Sequence, residues 1–211
     1  MLPSQNAQAQ TQHPKSRGQL IASGGGPGGP ATACFTCHGI DGSGQSASGF
    51  PRIAGMDAQY LAKQLDDYAS GTRSDDIMAP IARQLSKQDR RAVSLYYATL
   101  SLRAATEYRT NPDPALVQEG GALYALGSGG RNLQACINCH GPNARGLPPI
   151  FPALVGQPAS YTAEQLRKWQ SGRRSNSVGA VMEHIAMRLN EREIVAVAAY
   201  LANLRPDAKP Q

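Results

Sequence analysis

The feature that most constrains this chain is that it is written twice. Residues 18–100 align with residues 120–201 along almost their whole length, with small insertions in the second copy. Cys34-Phe35-Thr36-Cys37-His38-Gly39 falls on Cys136-Ile137-Asn138-Cys139-His140-Gly141, and Phe50-Pro51-Arg52-Ile53-Ala54-Gly55 falls on Phe151-Pro152-Ala153-Leu154-Val155-Gly156. Tyr60, Gln64, Leu65 and Gly71 meet Tyr161, Gln165, Leu166 and Gly172, while Tyr68 meets Trp169. Further on, Met78, Ile81, Ala82, Leu85 and Tyr97 are aligned with Met182, Ile185, Ala186, Leu189 and Tyr200. A repeat this long is one structural unit present twice. The chain therefore divides into a first domain at 17–100 and a second at 115–206, joined by a linker at 101–114 and preceded by a flexible polar tail at 1–16. Pro112 and Pro114 oppose regular structure at the linker's end.

Each copy reads as three main helices between long loops, an all-α pattern. The first is short in copy one, around Gly18 to Ser23, and better formed in copy two, around Pro114 to Leu126. In the middle, Asp57 to Ser70 carries Tyr60, Leu61, Leu65 and Tyr68 at helical spacing and stops at Gly71, and Pro158 to Ser171 repeats it. The last helix opens on Ser86 or Asn190 as N-cap, with Asp89 or Glu193 three residues later, and runs to Leu100 or Leu204. The Gly-rich stretch Gly24 to Pro30 lacks the Lys-Ser/Thr ending of a phosphate loop and reads as a plain loop.

All four cysteines lie in the two Cys-x-x-Cys-His units, a string that attaches c-type haem. Two thiols three positions apart can reach the vinyl groups on one porphyrin edge, and the adjacent histidine then lies beneath the iron. A haem would also supply core to domains of about 90 residues, too small to bury much surface alone. Only 6% of the chain is aromatic, which makes that contribution matter. Two other readings of Cys-x-x-Cys remain, a zinc site and a redox disulfide. Structural zinc takes four protein ligands, whereas the two motifs together offer six candidates about a hundred residues apart. A thioredoxin-type disulfide needs a strand-then-helix context that this pattern lacks.

The sixth iron position decides between electron transfer and ligand chemistry, because a coordinated methionine raises the potential and fills the site. Met78 follows His38 by 40 residues, Met182 follows His140 by 42, and each lies in the loop before the capped last helix. They are the methionines that match across the copies; Met56 and Met187 face Gln157 and Arg83 and read as core filler. His13 and His184 have no matched histidine and read as structural or solvent-facing.

Net charge is +6, with ten basic against seven acidic residues in 1–105 and eleven against eight in 106–211. An excess spread so evenly, without a basic stripe or arm, argues against nucleic-acid binding. No window has the 18 or more apolar residues that span a bilayer. The N-terminal residues lack the apolar region of a secretory signal, which implies a signal already removed.

With both Cys-x-x-Cys-His-Gly units, the two Phe-Pro-x-(Ile/Leu)-(Ala/Val)-Gly segments and the two methionine segments in place, the chain resembles the dihaem cytochrome c4 family, two class I cytochrome c domains in tandem, over about residues 18–204. The resemblance implies two covalent haem c groups, each iron held by His38 and Met78 or by His140 and Met182. It also implies that the carbonyl of Pro51 or Pro152 orients the histidine ring, and that Ile53 and Leu154 pack on the haem faces. It places the two haems close together about a pseudo-twofold axis and the protein in the periplasm. The function implied is single-electron transfer rather than transformation of a substrate, between respiratory donors and a terminal oxidase or other acceptor, with a membrane oxidase or bc1-type complex, or a dehydrogenase, as redox partner. Two alternatives stay open: the cytochrome subunit of a dehydrogenase complex such as flavocytochrome sulfide dehydrogenase, and a dihaem peroxidase, against which the matched methionines argue.

Overall fold

The computed structural model describes residues 14–101 and 112–205. His13, most of the tail and most of the linker lie outside the described residues. Ten α-helices occur among those described, five in each copy. The first domain has α1 (Pro14–Gly24), α2 (Cys34–His38), α3 (Ala58–Ser70), α4 (Met78–Gln84) and α5 (Lys87–Ala98). The second has α6 (Pro114–Leu126), α7 (Ile137–His140), α8 (Ala159–Gln170), α9 (Val181–Ala186) and α10 (Glu191–Asn203). None of them is long and apolar enough to cross a membrane.

Capping explains where the long helices begin. Asp57 Oδ1 accepts from the N–H groups of Gln59 and Tyr60 at 2.9 Å each. Ser86 Oγ accepts from Asp89 N–H at 3.1 Å. Asn190 and Glu193 form a reciprocal box, in which Asn190 Oδ1 accepts from Glu193 N–H at 3.0 Å and Glu193 Oε2 from Asn190 N–H at 2.9 Å. Each cap satisfies an amide that the helix itself leaves unpaired.

In both domains the first and last helices cross at a glycine. A Cβ on Gly18 would lie 2.2 Å from the Ala92 carbonyl oxygen, and one on Gly120 would lie 2.1 Å from that of Ala196. Backbone contact this close admits no side chain. It also corrects the repeat register. Gly18 meets Tyr96 as Gly120 meets Tyr200, and Gly55 N–H donates to the Tyr97 carbonyl at 2.9 Å as Gly156 N–H donates to that of Leu201. The last helices align without a gap, so Tyr200 corresponds to Tyr96 and Leu201 to Tyr97, one residue away from the pairing of Tyr97 with Tyr200 expected from sequence.

Three other expectations change. The first helix is not a short segment around Gly18 to Ser23 but eleven residues, starting three residues inside the stretch read as tail, because packing on α5 stabilises what its own residues would not. The Gly24 to Pro30 stretch holds one tight 3-10 turn, Gly26–Gly28, and leads into a second, Pro30–Thr32. Gly25 is left-handed there, with a φ of 76°, and Thr32 Oγ1 donates to the carbonyls of Gly25 and Gly29 at 3.0 Å each. Met187 is 61% exposed and cannot be core filler, whereas Met56 is buried in the first domain's core.

Candidate functional site

Each Cys-x-x-Cys-His unit is a single helical turn. Gly39 and Gly141 end it with φ of 81° and 73°, a conformation that a side chain disfavours. Gly39 N–H donates to the Phe35 carbonyl and Gly141 N–H to the Ile137 carbonyl, both at 2.9 Å. Positions three apart share one side of a turn, so Cys34 and Cys37 face the same way, as do Cys136 and Cys139. The loop that follows folds back on the histidine. Gly44 N–H donates to the His38 carbonyl and Gly146 N–H to the His140 carbonyl, at 2.8 Å in both copies, and the isolated bridges Gln45↔Phe50 and Leu147↔Phe151 close the loops.

That closure puts a carbonyl beside each imidazole. His38 Nδ1 donates to the Pro51 carbonyl at 2.8 Å, and His140 Nδ1 donates to the Pro152 carbonyl at 2.9 Å. A carbonyl only accepts, so Nδ1 must carry the proton. Burial lowers the pKa of both imidazoles, despite the opposing hydrogen bond to the proline carbonyl, and holds them neutral. The remaining nitrogen, Nε2, is then a lone-pair donor. His140 Nε2 is buried without a hydrogen-bond partner, which fits a nitrogen that ligates a metal.

The residues around those imidazoles fit a macrocycle better than a bare ion. His38, His140, Met78, Met182, Ile53 and Leu154 all line one cavity of about 470 Å³ between the domains, together with the cysteines of both motifs. Burial pushes the thiols of Cys34 and Cys136 up to about 11, so they are thiols rather than thiolates at neutral pH. No cysteine is in a disulfide, and no group of three or more His, Cys, Asp or Glu side chains converges among the described residues.

Met78 and Met182 are not in loops, as their place before the last helix suggested, but in the first turns of α4 and α9. Asp75 Oδ1 accepts from the N–H groups of Ile77 and Met78 at 3.1 and 3.0 Å, and Ser177 Oγ accepts from Met182 N–H at 3.1 Å. Capping by these side chains, which periodicity does not reveal, organises a turn that would otherwise be loop. The Asp75 cap also reaches across the molecule, since Lys168 Nζ lies 3.2 Å from its Oδ2. Those bonds outweigh burial and hold the Asp75 carboxyl below its ordinary range. His184 is exposed.

The seam between the domains is polar, and sequence reasoning assigned none of it. Arg73 and Arg174 are buried and paired in an antiparallel bridge. Arg73 donates to Gln64 Oε1 at 2.7 Å, Gln165 Oε1 at 2.8 Å and the Tyr161 hydroxyl at 3.0 Å. Arg174 donates to Gln165 Oε1 at 2.9 Å and Gln64 Oε1 at 3.2 Å, while the two guanidinium groups lie over Tyr68 and Trp169. A signal was present, because Gln64 and Gln165 occupy matched positions on the apolar side of a helix, where an unneeded polar group is costly.

The family model for cytochrome c matches residues 30–101 and again residues 117–205. A thiosulfate dehydrogenase electron acceptor of Stutzerimonas stutzeri (strain A1501) is 44% identical, over 89% of this chain and 86% of that protein. The crystal structure of reduced cytochrome c4 from Pseudomonas stutzeri superimposes with a TM-score of 0.77 at 30% identity, covering 92% of this chain and 99% of that one. A thiosulfate dehydrogenase from Marichromatium purpuratum superimposes with a TM-score of 0.79 at 38% identity, over 91% of this chain but only 40% of that longer one.

Proposed function

The chain belongs to the cytochrome c family, as a dihaem cytochrome c4, and from that premise we propose that it is the electron acceptor of a thiosulfate dehydrogenase in the periplasm. It is a c-type electron-transfer protein with a covalent haem c in each domain. Bound haem c supplies reversible one-electron exchange at iron. In our reading, Cys34 and Cys37 anchor one haem and Cys136 and Cys139 the other. His38 and His140 would each offer Nε2 to an iron, and Met78 and Met182 would supply the thioether ligands. The Pro51 and Pro152 carbonyls fix the imidazole planes, and Ile53 and Leu154 cover the rings. Haem c held by a histidine and a methionine would supply outer-sphere electron exchange rather than a binding place for a substrate.

The observation that carries the choice of donor is the 44% identity to a named acceptor of thiosulfate dehydrogenase over nearly the whole chain. The likeness to the thiosulfate dehydrogenase from Marichromatium purpuratum, of which this chain spans 40%, supports the same pairing. The likeness to cytochrome c4 also favours a second reading, delivery of electrons from other respiratory donors, such as a bc1-type complex, to a terminal oxidase. Stopped-flow mixing separates them. Oxidised protein mixed with a thiosulfate dehydrogenase and thiosulfate should take up two electrons per chain, faster than it does from a flavocytochrome sulfide dehydrogenase supplied with sulfide. Equal or slower reduction by the thiosulfate enzyme would overturn the donor assignment.

A further inference from the structure

The two Phe-Pro segments differ most at two positions. Arg52 and Met56 in the first stand against Ala153 and Gln157 in the second. Arg52 is fully buried and lines the cavity. Its Nη1 donates to the Ala54 carbonyl at 2.6 Å and its Nη2 to the Val155 carbonyl at 3.0 Å. Ala54 and Val155 are counterparts in the repeat. One guanidinium thus bridges equivalent carbonyls of the two copies and occupies the place where the copies meet about their pseudo-twofold relation. An arginine at 153 would need that same place, and the second copy has a buried alanine there.

Gln157 clasps the segment from the other domain. Its Oε1 accepts from Arg52 N–H at 3.1 Å and its Nε2 donates to the Arg52 carbonyl at 2.8 Å. Every hydrogen-bond acceptor of the Arg52 guanidinium is a neutral carbonyl, and its Nε–H is buried with no partner. Burial lowers its pKa to about 10, which still leaves it cationic at neutral pH. A buried cation without an anion is costly, and the anions that two haem c groups bring are their propionates.

We propose that Arg52 is a single cation shared by both haem sites, giving its free Nε–H to a haem propionate and raising the reduction potential of both irons together. A fixed positive charge in a low-dielectric wall favours the iron state with the lower charge, and neutralising a propionate acts in the same direction. Because the group stands between the copies, it acts on both haems, so one residue sets the poise of the pair.

The inference rests on the two-haem carrier reading, and wild-type protein tests that reading separately through its haem count and His/Met spectra. Redox titration of the holoprotein then compares wild type with Arg52→Met and Arg52→Lys. Arg52→Met should lower both one-electron waves, by on the order of tenfold in each reduction equilibrium constant, or about 59 mV for a one-electron couple. Arg52→Lys should retain most of both values. If Arg52→Met does not load two haems, Arg52→Gln removes the same charge while keeping a donor for the carbonyls. The proposal is overturned if only one wave moves, if neither moves, or if Arg52→Lys shifts both as far as the neutral variant.

Discussion

The second domain gathers its buried apolar residues into one cluster, with Leu123, Tyr124, Val155, Leu166, Ile194 and Leu201 packed together, whereas the first divides them between a group around Ile21, Met56, Val93 and Tyr97 and a smaller one around Tyr68, Ala79 and Ala82. The difference is concentrated where the first and last helices meet the Cys-x-x-Cys-His turn. There the first domain has Ala22 and Tyr97, and the second has Tyr124 and Leu201. The large aromatic comes from the last helix in one copy and from the first helix in the other. Each choice forces a local consequence. Tyr124 donates its hydroxyl to the Gly141 carbonyl at 2.6 Å, fastening helix α6 to the motif. The Tyr97 ring leaves room only for Gly42, where a Cβ would lie 2.9 Å from it; at the matched place the second domain has Ala144. The copies thus exchange the source of the aromatic ring, and the second places more side-chain bulk there. What does not drift is the geometry around His38 and His140, where the hydrogen bonds to Pro51 and Pro152 differ by 0.1 Å.

The strongest way to break this equivalence is at the methionines. Met78→Ala and Met182→Ala should each remove one of two low-spin His/Met spectra and open that iron to carbon monoxide, leaving the other haem as it was. Carbon monoxide titration of the reduced protein counts the opened sites. Binding to unmutated protein at one haem would end the closed-site reading and move a peroxidase ahead; loss of both spectra from one substitution would show that the domains are not independent ligand sets.

Much of this equivalence was legible in the sequence, for a physical reason. Ligands, anchors and caps are local, so Cys34, Cys37 and His38 in one turn, or Asn190 and Glu193 in one cap, can be read from spacing alone. The Pro51 and Pro152 carbonyls needed the family resemblance as well, since a backbone acceptor has no side-chain signature. The seam is not local. Arg52 reaches Val155, 103 positions away, and Lys168 reaches Asp75, 93 away; nothing in either segment states which face the other copy will present. Tertiary packing also set the length of α1 and moved Met78 and Met182 from loop to helix, beyond what propensity conveys.

A smaller effect sharpens the contrast between buried and exposed methionine. Met56 is 6% exposed in the first domain's core, and Gln157 Nε2 approaches its sulfur at 3.6 Å from the second domain. Met56→Ala should cost about 2–5 kcal/mol of stability, the range for buried methionine truncation. Met187→Ala should change stability by less than about 0.5 kcal/mol, as exposed positions do. Chemical denaturation followed at the haem bands and by circular dichroism measures both. Equal costs would contradict the placement of Met187 on the surface.

The smallest expected effect concerns acid, and it asks whether two matched caps behave alike. Asp89 is held below the ordinary carboxylate range first by its hydrogen bond with Arg17, whose Nε lies 2.6 Å from Oδ1, and further by Ser86, whose hydroxyl donates to Oδ2 at 2.7 Å. Glu193, its counterpart, is lowered first by its hydrogen bond with Arg131, and the Asn190 N–H adds to this. A carboxyl that binds protons more weakly when folded contributes stability that is complete above its unfolded pKa, about 3.9 for Asp and 4.3 for Glu, and that drains away as pH falls through the lower folded value. The denaturation midpoint should therefore be flat with respect to these groups from about pH 7 to 5 and fall below about pH 4. Asp89→Asn and Glu193→Gln should each flatten part of that fall while lowering the neutral-pH midpoint. Both arginine side chains are 42% exposed, so solvent screening keeps each contribution small. Asp89 joins α1 to α5, whereas Glu193 ties α10 to the turn Gly129–Arg131. If Asp89→Asn alone alters the acid limb, the caps are equivalent in shape but not in load, because only the first one also fastens a helix.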